Sequence, residues 1–160
     1  MEINGAITQA RSPHLSVAAL AMAILLASLG ISIVTVALPI LARDFALPVT
    51  GAQWVVLAYL LSVTVTIVMA GRLGDLIGHR RVLLAGLVIF GAASAFCSIA
   101  PTIAMLIAAR VAQGVGGAIL MALPVSIIRE AVVKERTGSA MGLLGTMSAI
   151  GTALGPSLGG

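Results

Sequence analysis

One arginine stands where a charge is hardest to place. Arg110 lies in the run LIAARVAQGVGGAIL, residues 106–120, which is otherwise apolar apart from one amide. A full charge deep in a bilayer costs at least about 2.5–3.5 kcal/mol on insertion scales, so such a side chain faces a partner or a wet cavity. Gln113, Gly114 and Gly117 follow at helical spacing and share its face. That face offers a cation, an amide and two positions without side chains, where water or another backbone can come close. The same residues would also suit an arginine that only bridges helices or snorkels to the interface. The spacing leaves both readings open.

Two other stretches carry unusual chemistry. GRLGDLIGHRR, residues 71–81, sets Arg72, Arg80, Arg81 and His79 around a single acid, Asp75, with glycines at 71, 74 and 78. Read as a connection, it is a hinge whose glycines permit tight turns and close backbone approach. Asp75 suits an ion pair or the positive end of a helix. A solvated loop whose arginines only fix topology would look the same. GTALGPSLGG, residues 151–160, places Gly151, Gly155 and Gly159 at every fourth position, with Pro156 and Gly160 beside them. Small residues at that spacing let helices pack closely. Pro156 removes a backbone donor and can bend a helix. From spacing alone, packing is the favoured reading.

Other reactive side chains are sparse. Cys97 is the single cysteine and sits in an apolar run, where it reads as a packing residue. His14 and His79 lie in separate polar segments with no ligand set around them, so no metal or cofactor is expected. There is no nucleophile–base constellation, phosphate loop or pair of carboxylates, which argues against an enzyme.

The elements that hold these residues follow from composition. Hydrophobic residues make up 60% of the 160 and charged residues 9%. A soluble domain is nearer half apolar and a quarter charged, so this chain belongs in a membrane. After a polar lead at residues 1–14, apolar runs suggest spans at about 15–41, 53–71, 82–100, 103–127 and 139–160. The first run exceeds a signal-peptide core and four more follow, so it is read as a span.

Basic residues alternate between connections. Arg11, Arg72, Arg80, Arg81, Arg129, Lys134 and Arg136 fall on one side, Arg43 on the other. The positive-inside rule then makes the N-terminus and the 71–81 and 129–138 segments cytoplasmic. The net charge of +4 is accounted for by these signals. No clustered basic face or aromatic platform points to nucleic acid. Thr50 and Gln53 suggest a capping box for the second span, with Trp54 at the outer interface.

Taken together and in order, the three stretches resemble the signatures of the major facilitator superfamily. GRLGDLIGHRR is similar to the loop between its second and third helices, LIAARVAQGVGG to its fourth-helix signature, and GTALGPSLGG to its fifth-helix antiporter signature. QWVVLAYLL and the TVALP ending of the first span look most like the 14-span drug:proton antiporter branch. The resemblance covers nearly everything after residue 15. It implies an all-α polytopic fold, of which this chain would supply the first five transmembrane helices, as an N-terminal fragment whose C-terminal partner half is missing.

It further implies proton-coupled export of drug-like or amphipathic small molecules by alternating access, in the cell membrane. A metabolite transporter of the same superfamily, or a truncated fragment that transports nothing, are the alternatives. By the resemblance Gly71, Asp75, Gly78, Arg80 and Arg81 form a conformational switch. Arg110, with Gln113 and Gly114, serves proton coupling and the cavity. Gly151, Gly155, Pro156, Gly159 and Gly160 bend and seal the fifth helix. Tyr59, Thr64 and Ser32 are further cavity candidates. The chain departs from the pattern at Leu76, where a basic residue is usual, at His79, where Arg or Lys is frequent, at Thr35, where Asn is common, and at Gly30, where many relatives carry an acid. No Asp or Glu falls inside any of the expected spans.

Overall fold

A computed structural model describes the backbone of residues 13–131 and 134–159, and the side chains of 17–130 and 137–157. Arg11 and Gly160 lie outside the described residues, as do the side chains of His14, Lys134 and Arg136. Five helices follow one another: α1 (Pro13–Asp44), α2 (Val49–Ile77), α3 (His79–Ser98), α4 (Ile103–Ala131) and α5 (Lys134–Gly159). Among the described residues α1 to α4 are long and apolar enough to cross a membrane. The glycines, serines and threonines of α5 lower its hydropathy, and it is not among them. Helices satisfy every backbone group within one segment, which a bilayer demands.

The helices run further than the apolar pattern, because the polar residues at their ends propagate a helix as well as apolar ones do. The 71–81 stretch is therefore not an open hinge. α2 continues through Arg72 and Asp75 to Ile77, and α3 starts at His79. Gly78 alone breaks the helix, with φ at 98°, a conformation that favours glycine. Gly71 is an ordinary helical residue with open space around it. The expected capping box is also absent. Pro48 is the residue before α2, no side chain caps the helix, and Thr50 lies within its first turn. Proline supplies the extended entry conformation by itself.

α4 is the axis of the bundle, packed along α2 on one side and α3 on the other, while α5 packs along α1. Ala27 of α1, Tyr59 of α2, Phe90 of α3 and Leu120 of α4 meet in one buried cluster. A second cluster joins α1, α4 and α5 through Leu20, Ile24, Ile128 and Leu144. Large apolar side chains such as Leu61, Val65 and Val68 on α2 and Val88 on α3 point outward. An apolar exterior is what a lipid-facing surface requires.

Glycines set how close the axis comes to its neighbours. A Cβ on Gly116 would lie 2.7 Å from the Phe90 nitrogen and 2.8 Å from the Gly86 oxygen, both backbone atoms of α3. A Cβ on Gly114 would lie 2.7 Å from the Tyr59 carbonyl of α2. Backbone cannot step aside as a flexible side chain can. We expect Gly116→Val to destabilise the bundle by about 1–3 kcal/mol through overpacking. Gly142→Ala, where an added Cβ meets nothing within 4 Å, should leave stability nearly unchanged. Thermal unfolding in detergent, followed by size-exclusion chromatography, distinguishes the two.

Candidate functional site

Arg110 sits two turns into α4, on the face turned toward α1. Its Nη1 donates to Gln113 Oε1 at 2.7 Å and to the Gly30 carbonyl of α1 at 3.3 Å. Gln113 is buried and passes the chain on, its Nε2 donating to Ser94 Oγ of α3 at 2.7 Å. Ser94 Oγ in turn donates to the Phe90 carbonyl at 2.7 Å. One charged group thereby ties three helices through neutral acceptors. Gly30 makes the contact possible: a Cβ there would come within 3.0 Å of the Phe90 ring. Arg110 Nε is buried and has no hydrogen-bond partner.

Arg110 and Gln113 form the polar part of a cavity of about 600 Å³ between α1, α3 and α4. Gly30, Ser94 and Cys97 also line it, and the remaining wall is mostly aliphatic, with Ile33, Val34 and Leu106 among its residues. The volume is in the range of sites for drug-sized ligands. Among the described residues no carboxylate lines it.

The other expected cavity residues go elsewhere. Ser32 belongs to the α1–α5 seam, donating to the Thr152 carbonyl at 2.7 Å. Tyr59 is buried under α4, its hydroxyl against Gly117, where a Cβ would collide with it, and it shares only a small void with Arg110 and Gly30. Thr64 donates to the carbonyl of Leu60 on its own helix and lines an outward groove with Trp54 and Val111. Gly114 admits Ser62, whose Oγ donates to the Val111 carbonyl at 2.7 Å. It sets the α2–α4 distance and does not line the cavity.

At the opposite end from the α3–α4 turn, the 71–81 residues form a second polar group. His79 Nε2 lies 3.3 Å from Asp75 Oδ1, and its Nδ1 lies 3.4 Å from Glu130 Oε2 of α4. These are ion-pair distances: His79 Nε2 is buried without a hydrogen-bond partner, so its contact with Asp75 is one of proximity and charge. The three side chains each present one possible metal-ligand atom, all within 4.8 Å of one another. Glu130 is a partner that sequence spacing did not suggest. Arg80 and Arg81 are exposed and form no ion pair among the described residues. Asp75 therefore meets His79, and not Arg80.

The glycines of α5 face serines of α1. Ser28 Oγ and Ser148 Oγ are 3.0 Å apart. A Cβ on Gly151 would lie 2.8 Å from that of Ser28, and one on Gly155 would collide with Ser32. The spacing of Gly151 and Gly155 matches the spacing of Ser28 and Ser32, so two small-residue ridges lie in contact. Pro156 is exposed, Gly159 ends the helix, and the role expected for Gly160 falls outside the described residues.

Comparison with known proteins agrees on one family. A family model described as Major Facilitator Superfamily matches residues 20–160. The riboflavin transporter RibZ of Clostridioides difficile is 38% identical over 137 residues, covering 86% of this chain and 30% of that protein. The multidrug resistance protein Stp of Mycobacterium tuberculosis is 38% identical over 151 residues, covering 94% of this chain and 28% of Stp. The multidrug transporter protein MdtP of Bacillus subtilis is 34% identical over 146 residues, covering 91% and 27%. The chain thus spans less than a third of the length of these relatives.

The polar junction yields its own test. Gln113→Leu removes one of the two acceptors of Arg110, within α4, and the donor to Ser94 of α3; the lost interhelical bond should cost about 1–2 kcal/mol. Ser94→Ala breaks only the outer link and should cost less. Reversible unfolding in mixed micelles, with denaturing detergent as the variable, gives both values.

Proposed function

Because the chain belongs to the major facilitator superfamily, we propose that it is the N-terminal part of a membrane exporter that moves drug-like or amphipathic small molecules by alternating access, driven by protons. The observation that carries this reading is the Arg110–Gln113–Gly30 junction at the wall of a cavity inside the spanning region. A fixed cation there has a use in binding or in proton coupling that it would lack in a structural bundle. Relatives named as multidrug transporters support the cargo class. The tight Ser28/Ser32–Gly151/Gly155 seam suits a closed path between α1 and α5, and α5 then crosses the membrane beside α1.

On this reading Asp75, His79 and Glu130 form the cytoplasmic switch. They link the end of α2, the start of α3 and the end of α4, so a rocking motion that separates those ends must break them. The basic residues on the same side make that face, and the N-terminus, cytoplasmic. Coupling needs a group that gains and loses a proton near Arg110. Among the described residues Asp44, Asp75 and Glu130 all lie close to helix ends, so the titrating group belongs to the rest of the transporter or to the cargo. The riboflavin transporter among the relatives favours a second reading, in which the cargo is a polar aromatic metabolite.

The test is uptake into inverted vesicles holding the complete transporter, with an imposed proton gradient. Export should stop on adding a protonophore. Arg110→Ala should abolish gradient-driven export, and Asp75→Asn should reduce it several-fold with unchanged membrane insertion. Full activity of Arg110→Ala would reduce that residue to packing. Riboflavin carried in preference to lipophilic drugs would select the second reading.

A further inference from the structure

We propose that the cavity between α1, α3 and α4 binds an amphipathic organic anion, a carboxylate or sulfonate on an apolar body, with Arg110 as its counter-charge. A guanidinium carries five N–H donors. Arg110 uses those of Nη1 on two neutral acceptors, Gln113 Oε1 and the Gly30 carbonyl. Its Nε is buried without a partner. Neutral acceptors orient a cation but do not cancel its charge, and a buried charge calls for an opposite one.

Among the described residues no side chain supplies that charge. Among the described acids, Asp44 ends α1, fourteen positions from Gly30, which is roughly 20 Å along a helix at 1.5 Å per residue. Asp75 and Glu130 face His79 at the other end of the bundle. At the contact itself stands Gly30, which offers Arg110 only its backbone carbonyl and no carboxylate. An anionic ligand is attracted there, and a cationic one is repelled. Ile33, Val34 and Leu106 give its body an apolar wall, and about 600 Å³ sets its size.

Calling this ligand a cargo rests on the transporter reading; its binding does not, and can be tested without transport. Cys97 is the single cysteine and lines the same cavity, so alkylation by N-ethylmaleimide reports occupancy. The chain is placed in phosphatidylcholine nanodiscs, and the rate is measured with 2-naphthoate or with 2-naphthylmethylammonium at equal concentration. The naphthoate should protect Cys97 about tenfold more effectively than the ammonium, a modest figure for a charge-assisted contact. Arg110→Gln should erase the difference. Arg110→Lys should keep it in part, which separates loss of charge from loss of fold. Arg129→Gln, which lowers the net charge equally but lies exposed at the far end of α4, should leave it intact. Equal protection by the two probes, better protection by the ammonium, or a Cys97 that never reacts would each overturn the proposal. If protection is found while the complete transporter moves nothing, the site stands and the transport reading falls.

Discussion

A permanent charge inside an apolar bundle governs the arrangement of everything near it. The guanidinium of Arg110 cannot be left to lipid, so it is satisfied by an amide on its own helix and a carbonyl on another. That requirement brings α1 to α4 at Gly30 and, through Gln113 and Ser94, brings α3 to both. In a medium without a hydrophobic force between helices, such bonds and close packing are what hold helices together. The polar junction and the glycine contacts are thus parts of one solution. Gly116 lets the α3 and α4 backbones approach, Gly30 leaves room for the Phe90 ring, and Arg110 reaches the Gly30 carbonyl.

The same arrangement explains how a bundle can be firm in some places and movable in others. The α2–α4 and α3–α4 contacts are made backbone to backbone across Gly114 and Gly116, which resist sliding. The contacts among Asp75, His79 and Glu130 are longer, at 3.3 and 3.4 Å, and both carboxylates are exposed. Exposed ion pairs are weak and readily exchanged. Such contacts can open without disturbing the packed seam.

Much of this was legible in the sequence. The number of helices followed from apolar runs separated by polar ones, and α4 was marked by Arg110, Gln113 and Gly114 at helical spacing. Their separation into a charged junction and a packing surface was not legible, because residues 110, 113 and 114 share a face but meet different neighbours. The spacing of Gly151 and Gly155 indicated a tight contact; that its partners are Ser28 and Ser32 depends on which helices pair. GRLGDLIGHRR looked like a loop because glycines and charges are common in loops. In the structure only Gly78 departs from helix, since charged residues extend a helix once it leaves the membrane. Glu130 was hidden for a different reason: it meets His79 only after α4 has folded back alongside α2 and α3.

Gln113 holds Arg110 inside the bundle, away from the interface. Solid-state NMR on the chain in lipid bilayers, with nitrogen-15 in the arginine guanidinium and carbon-13 in the glutamine carboxamide, measures that contact through dipolar dephasing. The account predicts strong dephasing at Gln113, as an Nη1···Oε1 separation of 2.7 Å requires, and its loss in Gln113→Leu. Absent dephasing, with the guanidinium instead close to lipid phosphorus, would mean that Arg110 snorkels and that no charged junction organises the helices.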